Sequence, residues 1–220
     1  MSPQDIIIRP FKPADRAQVR KISCDTAFMG EPLEKFFDDR EAFADIATAY
    51  YTEYEPESLF VAEYENSIVG YLTGCKDTCR FKKIFFWRIL PGAALRSFFR
   101  GALFRKKTLK LIFSLLRSFL KGELRRPDYS EEFPAHLHIN VQDSYRQLGA
   151  GTRLMEEYLE YLKKNNIGGL HLYSLSAIGQ EFFKKMNFVR IFSQRVSYFE
   201  YLNLKEVYVF CFAKRLQEYF

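Results

Sequence analysis

The 220-residue sequence has few cysteines and histidines, and it lacks long apolar runs. Its four cysteines are scattered, and no histidine cluster completes a zinc site, so we expect reduced structural cysteines and no bound metal. No stretch of about 18 or more apolar residues occurs, which argues against a membrane-spanning helix. The start of the sequence does not join a basic segment to an apolar one, so no secretory signal is predicted. These absences favour a cytoplasmic protein.

Acidic residues are missing from one part of the chain. Between Phe81 and Gly122 there are eleven Lys and Arg residues and no Asp or Glu, although the net charge of the whole chain is only +6. The remaining residues are therefore net acidic, and the basicity belongs to this segment. Because no recognition motif accompanies the basic residues, we do not expect nucleic acid as a partner.

Aromatic residues are abundant, with 23 Phe and 14 Tyr, and 48% of the residues are hydrophobic. This composition suits one packed domain spanning residues 1–220. Apolar periodicity predicts an α+β domain with a mixed, mostly antiparallel sheet flanked by helices. The predicted helices are Pro13–Phe28, Leu33–Tyr51, Gly149–Asn165 and Ala177–Met186, and the predicted strands are Ile6–Pro10, Ser58–Tyr64, Ser67–Gly74, Ala135–Val141, Leu170–Leu175, Val189–Tyr201 and Glu206–Lys214. Residues 81–130 interrupt this order as a basic insertion of two or three helices, with a break at Pro91–Gly92.

The turn between the strand Ala135–Val141 and the following helix has the spacing Arg146-x-x-Gly149-x-Gly151. Glycines at a helix N-terminus let backbone N–H groups approach a ligand closely, and the helix dipole there favours negative charge. Two glycines and one arginine often occur by chance at this spacing. The strand before the turn and the strand after the helix make a pyrophosphate-binding turn the favoured interpretation.

This arrangement resembles the GNAT superfamily of N-acetyltransferases, over nearly the whole chain apart from the insertion. The resemblance implies the GNAT fold and acetyl-CoA as the cofactor, bound between two strands that splay apart. A more specific resemblance, carried by Pro134–Asn140, is to the acetyltransferase-like module associated with O-GlcNAcase and its bacterial relatives. The residues implied to bind the cofactor are Asn140, Val141, Arg146, Gln147, Leu148, Gly149, Ala150, Gly151, Thr152, Ser176, Phe182 and Lys185.

The sequence departs from the family pattern where many members have a tyrosine that protonates the leaving thiolate. Phe183 stands at that position and has no proton to give. Tyr173, near the end of the predicted strand Leu170–Leu175, is the candidate substitute. His136 and His138 are predicted to share one strand face, and His138 is the candidate base, although either histidine could be an ordinary packed residue.

The expected reaction is direct transfer of an acetyl group from acetyl-CoA to a primary amine on a small molecule or peptide, within a ternary complex. The alternative is a catalytically inactive binding module for coenzyme A, a carbohydrate or a peptide, which Phe183 keeps under consideration. The sequence does not identify the acceptor. A homodimer is one possible oligomeric state.

The Phe81–Gly122 segment has three interpretations. Its Phe and Leu residues, separated by Lys and Arg, are typical of helices that lie in a membrane interface, which would give peripheral membrane contact. The segment could instead be a lid over the acceptor site, or a subdomain that packs its aromatic residues on the core. The last two are favoured, because the apolar face would otherwise form a large exposed patch.

Overall fold

A computed structural model describes residues 5–175 and 177–216. Its centre is one seven-stranded sheet in the order β1-β2-β3-β4-β5-β7-β6. The strands are β1 Ile7–Pro10, β2 Leu59–Tyr64, β3 Ser67–Cys75, β4 Ala135–Val141, β5 Gly169–Ser174, β6 Val189–Val196 and β7 Val207–Arg215. Neighbouring strands run antiparallel except β4 and β5, which are parallel. The predicted α+β class with a mixed, mostly antiparallel sheet is confirmed.

Helices cover both faces of the sheet. They are α1 Arg16–Asp25, α2 Arg40–Glu53, α3 Thr78–Ile84, α4 Leu90–Phe99, α5 Lys106–Leu120, α6 Ala150–Lys164 and α7 Ala177–Lys185. On one face, α6 buries Leu154, Tyr158 and Leu162 in a core shared with α7. On the other face, α1 and α2 bury a second core that includes Val19 and Tyr50. This packing follows from helical apolar spacing, which gives each helix one face to bury.

The first two helices are shorter than predicted. α1 ends at Asp25 rather than Phe28, and Met29 and Gly30 beyond it have positive φ angles of 55° and 98°. α2 begins at Arg40 rather than Leu33, because Asp39 caps it by accepting a hydrogen bond from the amide of Ala42. Only a 3₁₀ turn covers Leu33–Lys35.

The predicted break at Pro91–Gly92 is wrong. A π-helical turn, Phe85–Ile89, joins α3 to α4, and Pro91 lies in the first turn of α4. In this continuous helical run the amide of Leu90 donates to the carbonyl of Phe85, five residues back, and such a π-helical widening accommodates a proline, which has no N–H to donate. The chain breaks instead at Gly101, whose φ of 66° is left-handed.

The strand predicted over Val189–Tyr201 ends at Val196. The amide of Ser197 donates to the carboxylate of Glu123 rather than to a neighbouring strand, and a 3₁₀ turn follows at Glu200–Leu202. No helix within the described residues is long and apolar enough to cross a membrane.

Candidate functional site

The central strands β4 and β5 separate almost as soon as they meet. They pair only at two positions, Ala135 with Leu170 and His136 with His171. β4 continues to Val141 and pairs there with β3 alone. From Leu137 onward, the edge of β4 that faces β5 therefore has no strand partner. This gap offers backbone donors and acceptors to a ligand.

The predicted glycine turn lies directly after β4. A 3₁₀ helix covers Asp143–Leu148, and Gly149, with a φ of 77°, caps α6. A Cβ atom at Gly149 would meet nothing within 4 Å, so open space lies above the turn. The amides of Ala150, Gly151 and Thr152 occupy the first turn of α6, where no intrahelical carbonyl faces them. The turn thus has the donors and the space that an anion requires.

The side chain of Arg146 connects this turn to neighbouring segments through hydrogen bonds and an ion pair. Its Nε donates to the carbonyl of Val141 at 3.0 Å, and one terminal nitrogen donates to the carbonyl of Gly30 at 3.2 Å. The other terminal nitrogen lies 2.8 Å from the carboxylate of Asp143. The guanidinium therefore ties the end of β4 to the loop that follows α1. The implied contact of Val141 with the cofactor must share a carbonyl that Arg146 already uses.

His136 lies opposite His171 at the last paired position, and both of its ring nitrogens are used. Thr78 Oγ1 lies 2.7 Å from the carbonyl of Pro134, which can only accept, so the Thr78 hydroxyl donates there. The same oxygen then accepts from His136 Nδ1–H at 2.8 Å, and the hydroxyl of Tyr51 donates to Nε2 at 2.9 Å. Burial and the neighbouring His138 keep the pKa of His136 well below its ordinary value. His136 is a neutral structural residue.

His138 shares its strand face with His136, as alternation predicts, and it differs in having no hydrogen bond between its ring and any described residue. Its side chain is exposed and contacts the ring of Tyr51, with ring centroids 6.2 Å apart. Surrounding protein atoms and the nearby His171 lower the pKa of His138 to about 4. The imidazole is neutral at pH 7 and free to accept a proton.

Asn140 lies on the same face, and its amide donates to the hydroxyl of Tyr71 at 2.8 Å. This bond directs the side chain towards the face covered by α1 and α2. The backbone of Asn140 pairs with Tyr71 of β3, in step with the bond from the amide of Gln142 to the carbonyl of Val69, so the groups on the open edge of β4 belong to its neighbour Val141.

Tyr173 lies two residues beyond His171 on β5, with the two rings edge to face at 5.9 Å. The guanidinium of Arg126 covers the Tyr173 ring at 5.0 Å, and the Tyr173 hydroxyl donates to the carbonyl of Pro127 at 3.5 Å. Burial and the nearby Cys211 raise the pKa of Tyr173 well above its ordinary value. The phenol therefore stays protonated at neutral pH and can donate.

The remaining predicted residues lie on or near α7. Phe183 is a core residue packed on Phe188 and Phe212, so it has no position at a reaction centre. The half-buried Phe182 lies beside the turn, because a Cβ atom at Gly151 would lie 3.6 Å from its ring. Lys185 is exposed. Ser176 falls outside the described residues.

Three residues at this site were not identified from the sequence. Tyr51 and Thr78 fix the tautomer of His136, and His171 completes a group that contains all three histidines of the chain. Tyr51 lies 85 positions before His136, and no local pattern joins the two. His171 could have been found by aligning the predicted strands β4 and β5 in parallel register.

No protein-family model and no curated protein matched the sequence. Comparison with solved structures is informative. The protein SsHAT aligns over 97% of this chain and 100% of its own, with a TM-score of 0.70 and 24% identity. The polyamine N-acetyltransferase of Drosophila melanogaster, which forms N-acetylagmatine, aligns over 96% and 100%, with a TM-score of 0.61 and 18% identity.

A Salmonella typhimurium protein solved with its cofactor acetyl-CoA aligns over 98% of this chain and 96% of its own, with a TM-score of 0.56 and 11% identity. These likenesses extend over whole chains and share the sheet and helices described above. The identities are too low to transfer a reaction directly. The fold implied by the family resemblance is confirmed, and the chain has the GNAT fold.

Proposed function

We propose that this chain transfers an acetyl group from acetyl-CoA to a primary amine. The observation that carries the proposal is the separation of β4 from β5 after His136, immediately before an anion-binding turn at Gly149. The same fold is found in N-acetyltransferases and in a protein solved with acetyl-CoA. A gap beside a helix N-terminus suits a long ligand with a pyrophosphate at one end and a carbonyl at the other.

The residues present fit that cofactor. The amides of Gly149, Ala150, Gly151 and Thr152 would bind the pyrophosphate, with those of Gln147 and Leu148 beside it. The backbone of Val141, on the open edge of β4, would align the extended arm, with Asn140 beside it. Phe182 would pack beside the arm near Gly151, and the exposed Lys185 would reach a peripheral phosphate. When bound, acetyl-CoA supplies an acetyl group activated as a thioester.

Two side chains on the acceptor face would accept the proton of the amine and donate a proton to the thiolate. The amine must lose a proton before it attacks a carbonyl, and the thiolate that leaves must gain one. His138 is neutral at pH 7 and has an unoccupied ring nitrogen, so it would accept the amine's proton through a water. An imidazole with a depressed pKa is a weak base, which favours such a relay over direct abstraction. Tyr173 remains protonated and would supply the proton to sulfur.

The acceptor is proposed to be an amine, carried by a small molecule or a peptide. The Drosophila neighbour acts on a polyamine-type substrate. The acceptor would approach from the side of α1 and α2, towards which His138 points. The narrower resemblance to the O-GlcNAcase-associated module stays a prediction.

The first test is titration calorimetry of acetyl-CoA against the native protein and a Gly149→Trp variant. The indole would project into the open space above the turn and should abolish binding. Gly122→Trp is the matched control, because Gly122 has a φ of 76°, similar to that of Gly149, and equally open surroundings. Both variants carry a strain of about 1–2 kcal/mol. Equal loss of binding in the two variants would remove the turn from the proposal.

Release of free thiol then separates an enzyme from a binding module. A panel of polyamines, arylalkylamines and peptide N-termini should contain at least one compound that raises the rate of thiol release above hydrolysis. Tight binding of acetyl-CoA without acceleration by any amine would favour the inactive module. The buried Phe183 is the observation that keeps this second function in view.

A further inference from the structure

The inserted helices turn their large apolar side chains outward. Of the seventeen large apolar residues that are exposed in the described chain, thirteen lie between Phe81 and Gly122. We call these thirteen the insertion face: Phe86, Trp87, Leu90, Leu95, Phe98, Phe99, Phe104, Leu109, Ile112, Phe113, Leu116, Phe119 and Leu120. This is the large exposed patch that the packed-subdomain interpretation sought to avoid, so that interpretation loses its main support.

α5 shows how the face is built. Leu109, Ile112, Phe113 and Leu116 recur at three- and four-residue spacing and therefore lie on one side of the helix. The side that contacts the body of the protein carries two half-buried leucines, Leu111 and Leu115, among small polar residues. Thr108 and Ser118 are buried there, and the hydroxyl of Ser114 donates to the carbonyl of Tyr198. The helix packs through this narrow side and leaves most of its large apolar residues exposed.

α4 repeats the arrangement. Its buried positions are Ala93 and Ser97, whereas Leu95, Phe98 and Phe99 are exposed. Phe99 is 78% exposed, and Trp87, in the preceding π turn, is 82% exposed. Two consecutive helices that expose most of their large apolar residues make a continuous surface for a partner.

Some cations of the segment pair with carboxylates of the protein body, such as Arg96 with Asp45 and Arg100 with Asp39, and others beside this surface pair with no carboxylate that the structure describes. Lys106, Lys110 and Arg117 follow one flank of α5 at spacings of four and seven residues. They form no ion pair with any residue in the described ranges, nor do Lys83 and Arg88. The segment itself contains no acidic residue. Unpaired cations that border an apolar stripe select a partner with anionic groups above an apolar layer.

We propose that the insertion face docks on an anionic lipid bilayer, with its Phe and Leu side chains among the acyl chains and its Lys and Arg side chains at the phosphates. A second copy of this chain fits less well, because pairing two such faces would bring two acid-free, cationic surfaces together. Nucleic acid would meet the cations and leave the apolar stripe uncovered. The inference rests on this surface alone and not on acetyl transfer.

Trp87 is the only tryptophan of the chain and lies on the insertion face, so its fluorescence reports docking directly. The native protein should be mixed with vesicles of equal parts phosphatidylcholine and phosphatidylglycerol, and with vesicles of phosphatidylcholine alone. We expect a blue shift and co-sedimentation with the anionic vesicles, and weaker binding to the neutral ones. Raising the salt concentration should reduce binding, because it screens the attraction to the lipid phosphates.

Two sets of variants test the apolar and the electrostatic contributions to docking separately. Phe113→Ser with Leu116→Ser should lower partitioning on the order of tenfold or more, since each loses apolar groups that enter the bilayer. The control is Ile7→Ser with Val189→Ser, two exposed apolar residues outside the face. Lys106→Glu with Lys110→Glu should lower partitioning by at least about fivefold per cation, and Lys164→Glu should not.

Three results would overturn the proposal. One is the absence of any shift of Trp87 emission with anionic vesicles at low salt. Another is equal loss of binding in the face variants and their controls. The third is a stable dimer in solution in which Trp87 is shielded from acrylamide quenching and vesicles do not compete, which would assign the face to a second copy.

Discussion

At the residue scale, two histidines of one strand have different environments. Strand alternation placed His136, His138 and Asn140 on one face, and the structure has them there. Alternation could not show which histidine has both ring nitrogens hydrogen-bonded, because the partners of His136 come from α2 and α3. The sequence therefore predicted the shared face correctly, and the catalytic roles stay predictions. Their separate roles depend on tertiary contacts.

Replacing His138 with Gln should lower turnover by about a hundredfold to ten-thousandfold while leaving acetyl-CoA affinity unchanged. The reason is loss of a proton acceptor at a position away from the cofactor turn. The pKa of His138 is lowered, so the acid limb of kcat in the native enzyme should lie below pH 6.5. Steady-state rates across pH at saturating amine test this.

Tyr173→Phe is the companion variant, since it removes one hydroxyl and keeps the ring under Arg126. It should also reduce kcat with little change in cofactor affinity. An acid limb at or above pH 6.5 that survives in His138→Gln, or full activity of both variants, would exclude these two residues from proton transfer.

At the scale of elements, one glycine sets the distance between α6 and β3. A Cβ atom at Gly74 would lie 2.1 Å from the ring of Tyr158, which is too close for any side chain. Tyr158 is fully buried, and its hydroxyl lies 3.0 Å from the carbonyl of His136. The helix that begins after Gly149 is thus positioned against the strand pair through this contact.

We expect Gly74→Ala to destabilise the protein by about 1–3 kcal/mol, because overpacking forces the helix or the strand to move. Urea unfolding measures the change. Gly92→Ala is the matched control, since Gly92 lies in α4 beside the flexible end of Arg96, where alanine favours the helix by up to about 1 kcal/mol. A Gly74→Ala protein as stable as the native one would show that Tyr158 can move aside at no cost.

The insertion shows what periodicity can and cannot predict. The spacing of Leu109, Ile112 and Phe113 correctly indicated a helix with one apolar face. Spacing does not say which way that face points. The direction follows from small residues such as Ser114 and Ser118, whose contacts with the body of the protein are visible only in three dimensions. The predicted break at Pro91 failed for a similar reason, because the π-helical turn before it could not be anticipated.

At the scale of the whole molecule, the order of the predicted elements was correct, and the GNAT fold followed from a family resemblance rather than from pairing rules. The sheet order joins β5 to β7 and leaves β6 at the edge. Hydrophobic patterns alone do not determine that order, because several arrangements bury the same residues. The early separation of β4 from β5 was likewise implied by the resemblance.

Acid should destabilise the folded chain before its carboxylates are protonated. Burial lowers the pKa of both His136 and His171, so below about pH 6.5 the unfolded chain binds more protons than the folded one. The free energy of unfolding should therefore fall as pH drops from about 6.5 towards 4, by roughly 1.4 kcal/mol per pH unit for each fully buried histidine.

The salt-bridged aspartates, whose pKa values are lowered, contribute further losses only below about pH 4. Urea denaturation at about pH 7 and about pH 5.5 isolates the histidine contribution. Equal stability at these two values would mean that the imidazoles gain protons as readily in the folded chain as in the unfolded one.

All three histidines of the chain meet where β4 and β5 part, and the rings of His138 and His171 each lie about 6 Å from that of His136, centroid to centroid. The three imidazole rings can therefore serve as NMR reporters of this one site. In a proton NMR spectrum recorded in heavy water, every imidazole resonance comes from the gap between the central strands. A compound that enters the gap would move these signals together, and one that binds elsewhere would leave them still, with no isotopic enrichment required.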